Sequence, residues 1–373
     1  MGPKCPYYLI ETRLSLVFLV SFSLPPNVWT ERPNCPALLS HGKLGSLSIL
    51  TSVMDLCRRY NGTINRRLIN LVEQNSTANA KPEIVNGKPE TTFTVRDVTL
   101  DPGKDLWVRV FTRNWKPDGS RSPIIVFFQV GGFTFMSPRS KGYHDLCKRF
   151  SGEMPAVVVS VNYRLPPENR FPGHYDDGLE VVRWIANAGK QHGGDGKRVL
   201  EKDGFLETAD TSRCFLVGDS AGGRKIAEDA AEFQPRKVVG HVLLQPFFGG
   251  EERLPSELKL KNVPLVSVDR ADWHWKVFLP ENSDRDHPAC NVSSPNSPDI
   301  SELDFPASLV VIGGFDPLQD WQRRYFEWQK KNGKVAEIME YPKAIHAFYV
   351  FPEIPEANQF FLDLKAFIDK CSQ

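Results

Sequence analysis

The sequence predicts an α/β fold with a mostly parallel eight-stranded sheet and helices on both faces. Two observations predict it: short apolar runs recur along the chain, and helical stretches separate several of them. The expected strands are Thr92–Leu100, Leu106–Thr112, Pro123–Phe128, Ala156–Asn162, Cys214–Val217, Val238–Leu244, Leu309–Gly313 and Val335–Tyr341. The last six are apolar almost throughout, as parallel strands covered on both faces are. Tyr175–Ala188 and Trp321–Asn332 carry helical patterns between them. Ahead of the sheet, Leu47 to Val72, with Leu56, Tyr60 and Leu68 to Leu71, reads as helical cap material. At 373 residues the length permits two domains, but no linker divides off a second core. The expected division is an N-terminal extension over 1–46, a helical cap segment over 47–90 and the α/β domain over 91–373.

Gly218-Asp219-Ser220-Ala221-Gly222 lies between the apolar run Cys214–Val217 and a stretch whose apolar residues (Ile226, Ala227, Ala230, Ala231) have helical spacing. Strand, G-x-S-x-G turn and helix together make a nucleophile elbow, whereas the five-residue pattern alone is more often a plain glycine turn. The turn puts Ser220 at a helix N-terminus, where free N–H groups favour developing negative charge. A serine hydroxyl attacks only when a base takes its proton and a third group orients that base. Downstream, Asp316 follows the strand ending at Gly313, and His346 follows the last strand. The order Ser, Asp, His, each beyond a strand end, is the one this chemistry uses on such a sheet. An Asp before Pro is often a turn former and a single His is usually structural, so the coincidence of placement carries the assignment. Asp320 competes for the acid role but falls in a first helical turn, where capping is its expected job. Donors for a tetrahedral oxyanion are expected from the amide of Ala221 and from Gln129-Val130-Gly131-Gly132-Phe133, the loop after the strand Ile124–Phe128.

From about Leu47 to Phe367 the chain resembles the plant carboxylesterases, the hormone-sensitive-lipase-like branch of the α/β-hydrolases, which includes the gibberellin receptors. The resemblance rests on Asn61 to Arg67, Val161-Asn-Tyr-Arg-Leu-Pro-Pro-Glu168, Tyr175-Asp-Asp-Gly178, Gln245 to Arg253, Asp284 to Asn291 and His346-Ala-Phe348. It implies an α/β-hydrolase fold with a helical N-terminal cap. It also implies Ser220 as nucleophile, Asp316 as acid, His346 as base, and Gly131, Gly132 and Ala221 as oxyanion donors. Phe133 and Asp219, next to these donors and the nucleophile, are the expected substrate contacts. The cap would cover the pocket mouth together with Leu254 to Phe278, where Trp273, Trp275 and Phe278 either line an apolar site or simply pack the cap. Val161-Asn-Tyr-Arg164 and Asp176-Asp177 are expected to form a structural polar network behind the oxyanion loop.

Two departures stand out. The family writes His-Gly where this chain has Gln129 and Val130, and its helix after the elbow is longer. Losing one oxyanion donor through a rotated loop costs about 2.7–4 kcal/mol of transition-state stabilisation. The expected activity is therefore hydrolysis of small, fairly apolar carboxylic esters through an acyl-enzyme, without a cofactor. Two alternatives stay open: a gibberellin-receptor-like protein that binds a small molecule without turnover, and a hydrolase slowed by its altered loop. In the receptors the base histidine is replaced, whereas here His346 is present.

Composition excludes other classes. The net charge is +1 and the paired arginines (Arg58-Arg59, Arg66-Arg67, Arg323-Arg324) are scattered, so no nucleic-acid footprint emerges; solvated helix faces are expected instead. Seven dispersed cysteines give neither a zinc spacing nor a disulfide framework and fit a reducing, cytoplasmic setting. Leu14 to Leu24 is too short to span a bilayer, and no stable membrane association is expected. A secretory-signal reading competes at this end, with Lys4 and Arg13 ahead of the apolar run; Asn61, Asn75 and Asn291 would then be glycosylation acceptors. The expected partner is a small ester.

Overall fold

Side chains alternate across each strand, and here both faces of the strands are apolar, so helices must cover both. The computed structural model describes residues 41–78, 83–85, 88–90, 93–113, 120–129, 131–188, 208–223, 238–261, 263, 265–297 and 299–372. Val130, the segment 224–237 after the elbow and the N-terminal 1–40 lie outside the described residues, and with them several expectations above. The strands are β1 (Glu83–Val85), β2 (Lys88–Glu90), β3 (Phe93–Asp101), β4 (Leu106–Arg113), β5 (Ser122–Phe128), β6 (Val157–Asn162), β7 (Ala209–Asp219), β8 (Val238–Leu244), β9 (Ala307–Phe315) and β10 (Ala336–Ile345). The eight from β3 onward form one sheet in the order β10-β9-β8-β7-β5-β6-β4-β3. All pairs from β6 across to β10 are parallel, and β4 and β3 add antiparallel at one edge.

The helices are α1 (His41–Cys57), α2 (Arg66–Val72), α3 (Lys141–Glu153), α4 (Gly173–Ala188), α5 (Pro255–Lys259), α6 (Val268–Phe278), α7 (Gln319–Lys331) and α8 (Pro355–Cys371). Odd and even strand residues separate the two faces. Ile125, Phe127, Phe215, Val217, Val242 and Val311 pack against Leu146 and Phe150 of α3 and Phe360 and Leu364 of α8. Ile124, Val126 and Leu216 face the other way onto Val181 and Ile185 of α4. Leu243, Val310 and Ile312 meet Trp321 and Tyr325 of α7 on that same side.

Several boundaries differ from the sequence reading, three of them by more than two residues. β7 begins at Ala209 rather than Cys214, because Ala209 and Asp210 pair with Ser122 and Pro123 ahead of the polar stretch Thr211 to Arg213. β10 runs on to Ile345 past Pro342, with a register shift between Tyr341 and Ile345 that accommodates the proline. The segment expected as helical cap to residue 90 ends in the antiparallel β1–β2 pair. Asn291 is buried, with its amide donating to Asp286, so it is unsuited to glycosylation as the chain stands folded. Among the described residues no helix is long and apolar enough to cross a membrane.

The sheet places the chemistry. The chain leaves β5 for β6 on one side and returns to β7 on the other, so the ends of β5 and β7 flank a topological switch point. At the antiparallel edge, Arg109 stands opposite Asp97, is 1% exposed, and donates to both carboxylate oxygens at 2.7 and 2.9 Å. Removing Asp97 strands a buried guanidinium that keeps, among the described residues, the Ser76 and Pro138 carbonyls, the His144 ring and the face of Trp107. Asp97→Ala is expected to lower the unfolding free energy by about 3 kcal/mol, read from chemical denaturation.

Candidate active site

A tight strand-to-helix turn forces unusual backbone angles, and Ser220 carries φ +51° at the end of β7. Its amide donates to the carbonyl of Leu244 at the end of β8, and its carbonyl accepts from Phe247, so the strained residue is held on both sides. The flanking glycines are sterically required. A Cβ on Gly218 would lie 2.2 Å from the Gly222 carbonyl oxygen, and one on Gly222 would lie 2.1 Å from that of Phe128. A helical turn opens at Ala221, which is fully buried.

Asp316 follows β9 and His346 follows β10, neighbouring parallel strands, and their side chains meet: Nδ1 of His346 lies 2.8 Å from Oδ2 of Asp316. The carboxylate accepts further from the Leu318 amide at 2.9 Å, from Gln322 at 2.9 Å and from Gln245 at 3.2 Å. Nδ1 is therefore the donor, which leaves the lone pair on Nε2, and Nε2 is buried without a hydrogen-bond partner among the described residues. Ser220 and His346 are each 2% exposed and Asp316 is fully buried. The Ser220 hydroxyl makes no hydrogen bond to Nε2; what connects the serine to the pair is a chain of bonds through β8. Ser220 bonds Leu244, the next residue is Gln245, and the Gln245 side chain accepts from Ala347, next to His346.

Burial is the largest influence on His346 and disfavours its imidazolium. The Asp316 charge, the Asp316 hydrogen bond and the Asp219 charge together outweigh it, so its pKa is raised above the ordinary value. Asp219 itself is pushed up to about 6, first by burial and also by Asp316, against the pull of His346 and two tyrosine hydroxyls. Tyr143 donates to one Asp219 oxygen at 2.9 Å and Tyr349 to the other. The substrate contact expected at Asp219 thus gives way to a different role: a buried carboxylate joining α3, the elbow and the turn after His346. The competing acid, Asp320, accepts from the Ser256 amide at 2.8 Å and ties α5 to α7.

The loop after β5 folds back on itself, with the Gly131 carbonyl accepting from the amides of Thr134 and Phe135. Gly131, Gly132 and Phe133 have φ of +142°, +55° and +65°. Tyr163 holds the carbonyl of Gln129 at 2.7 Å, and the adjacent Arg164 is locked to Asp177, so the expected polar network does support this loop. The Gln129 side chain is fully buried with neither amide atom bonded among the described residues, which costs about 1–3 kcal/mol. Phe133 stacks on Phe278 at 3.9 Å, and Trp275 stacks on Phe247 at 4.8 Å. The aromatic residues of α6 that were expected either to line a pocket or to pack the cap are therefore packed on the loop. Trp273, more exposed, donates to the Arg59 carbonyl.

Sequence reasoning missed three contributors. Gln245 lay inside a quoted motif without a role. His274 on α6 sits where a Cβ on Gly132 would be, 2.6 Å from its ring atoms, and its Nδ1 is 3.0 Å from the Thr134 hydroxyl. Arg66, expected on a solvated face, instead donates to the Thr134 carbonyl, to Pro166 at 2.7 Å and to Glu168. Its place in the pair Arg66-Arg67 gave no signal of this. A separate surface cavity of about 570 Å³, lined by Arg170, Glu251, Asp272, Lys276 and Arg285 among others, contains none of the three candidate catalytic residues. Among the described residues no group of side chains could hold a metal ion.

The close approach at the elbow is testable by itself. Gly222→Ala is expected to destabilise the fold by about 3 kcal/mol in a denaturant titration, since the obstacle is β5 backbone that cannot swing away.

Residues 125–350 match the model of a family described as the alpha/beta hydrolase fold. The gibberellin receptor GID1C of Arabidopsis thaliana is 37% identical over 93% of this chain and 94% of its own length. Probable carboxylesterase 8 of the same plant is 32% identical over 74% of this chain and 85% of its own. Among solved structures, an esterase of Pyrobaculum calidifontis superposes with a TM-score of 0.61 at 27% identity, covering 74% of this chain and 85% of that one. A parallel sheet with a serine elbow at its switch point and relatives of both kinds leads to one conclusion: the chain belongs to the α/β-hydrolase family, in the branch shared by plant carboxylesterases and gibberellin receptors.

Proposed function

We propose that the protein is a serine carboxylesterase acting on small, fairly apolar esters. The observation that carries this reading is the buried 2.8 Å pair of His346 and Asp316 beside the strained Ser220. In this mechanism Nε2 of His346 takes the proton of Ser220 as its Oγ attacks the ester carbonyl, while Asp316 fixes the tautomer and steadies the imidazolium. The amides of Gly131, Gly132 and Ala221 receive the oxyanion, His346 returns the proton to the leaving alcohol, and water then releases the acid by the same steps. No cofactor takes part.

A second reading, a small-molecule receptor without turnover, is favoured by the similarity to a protein named as a gibberellin receptor. The two separate in one experiment with a diethyl p-nitrophenyl phosphate probe and p-nitrophenyl acetate. The esterase gives a covalent adduct on Ser220 and turnover that falls by about 10⁴-fold or more in Ser220→Ala. A protein that binds ligand but gives neither adduct nor turnover is the receptor.

The pH dependence follows from the charges. The base works only when neutral, and the folded pKa of His346 is raised, so kcat/KM is expected to fall as pH drops through a value above 6.5, the ordinary value for histidine. Asp219→Asn removes one of the negative charges that favour the imidazolium, so this acidic limb is expected to move to lower pH. A kcat/KM profile with the limb unmoved or shifted upward contradicts that role for Asp219.

A further inference from the structure

Gln245 is the first residue beyond β8, fully buried and at φ +43°. Its own amide donates to the Val311 carbonyl on β9 at 2.9 Å, which fixes the residue before its side chain is considered. Nε2 then donates to Asp316 Oδ2 at 3.2 Å and to the carbonyl of Ile345 at 3.1 Å, and Oε1 accepts from the Ala347 amide at 2.7 Å. The orientation of the amide is fixed by its partners. Turned the other way, its oxygen would face two acceptors and its NH2 would face an N–H.

The residues gripped are the two chain neighbours of His346. Ala347 has φ +59°, an unfavourable angle for a residue with a Cβ, so this turn needs an external hold. Space has been left for the clamp: a Cβ on Gly313 would lie 2.4 Å from Gln245 Nε2. The same amide thus holds the carboxylate, the peptide before the imidazole and the peptide after it. Gln322 reaches Asp316 as well, but its other bond is to Pro246, and it makes no hydrogen bond to either neighbour of His346.

We propose that Gln245 is a positioning residue, a single side-chain amide that locks the Asp316–His346 pair by clamping the backbone on both sides of the histidine. Its effect on turnover rests on the esterase reading above; its effect on the pair does not. Asparagine is one methylene too short to span the three partners, and a carboxylate would place an acceptor against Asp316 and Ile345. Glutamine has both the length and the donor–acceptor pair the site requires.

The test uses the full chain and two variants, Gln245→Met and Gln245→Glu, with denaturation midpoints confirming the fold. The first readout is the low-field Nδ1–H resonance of His346, observed by NMR in protein labelled with ¹⁵N-histidine and assigned through its loss in His346→Ala. The second is kcat and KM for p-nitrophenyl acetate. The resonance is expected in the unaltered protein and expected to be lost to exchange in Gln245→Met, with kcat down about 10- to 100-fold and KM within about twofold. In Gln245→Glu a protonated carboxyl replaces the lost donor, so resonance and kcat relative to the unaltered protein recover as pH falls. A Gln245→Met protein with the resonance intact and kcat within about twofold overturns the proposal, and so does absence of the resonance in the unaltered protein. If the folded, unaltered protein shows the resonance but no turnover, the esterase reading fails alone and the resonance still decides the role of Gln245.

Discussion

The hydrogen bond between Asp316 and His346 is the constraint around which this molecule is arranged. Two polar groups on adjacent strand ends are removed from water almost completely, and burial of that kind is costly unless the carboxylate and the Nδ1 proton are matched. The structure answers with donors from three directions: the Leu318 amide from its own turn, Gln322 from α7 and Gln245 from the end of β8. Parallel pairing of β8, β9 and β10 brings these three ends into register, so sheet topology and site electrostatics are one problem with one solution. Gly313 and Gly314 close the same corner, where a Cβ on Gly314 would meet the Pro342 carbonyl at 2.2 Å.

Backbone strain is concentrated at this end of the sheet. Phe133, Ser220, Gln245 and Ala347 all have positive φ, each at a cost of about 1–3 kcal/mol, and all follow the ends of parallel strands between β5 and β10. Such angles persist because neighbouring bonds over-determine them. Ser220 is bracketed by Leu244 and Phe247, and Ala347 is held by Gln245. The loop after β5 is restrained by Tyr163 below and by α6 above, where His274 occupies the space over Gly132 and Phe278 stacks on Phe133. Arg66 adds the N-terminal segment to this assembly through Thr134 and Pro166. The cap and the glycine loop are therefore packed as one unit, and a substitution in α6 reaches the loop through direct contact.

Much of this was legible in the sequence, for identifiable reasons. Apolar runs mark the centres of parallel strands, so β5, β6, β8 and β9 were located closely; β7 was shortened because a polar stretch, Asp210 to Arg213, interrupts the apolar pattern behind the paired Ala209. The elbow was legible because Gly218 and Gly222 admit no side chain, and Asp316 and His346 because strand ends carry the chemistry on such a sheet. Gln245 and Arg66 were not, since long polar side chains act at a distance that periodicity does not encode. Asp219 was misplaced as a substrate contact for a related reason: proximity to Ser220 along the chain says nothing about which way a side chain turns. Alternation along β7 sends it back toward Tyr143 and Tyr349.

That turn explains an otherwise costly arrangement. A buried carboxylate near Asp316 is raised in energy by that second charge, and among the described residues no arginine or lysine pairs with Asp219. Its partners are two tyrosine hydroxyls, which satisfy its oxygens without cancelling its charge, because burial and Asp219 itself keep both phenols well above their ordinary pKa. While ionised, the carboxylate therefore keeps its charge available to the imidazole of His346. Asp219 and His346 titrate as a coupled system, in which protonating the first weakens support for protonating the second. Pairing Asp219 with a cation would have made the fold cheaper and left the imidazole with Asp316 as its sole counter-charge. The neutral tyrosines keep a second one, at the position in the chain immediately before the serine.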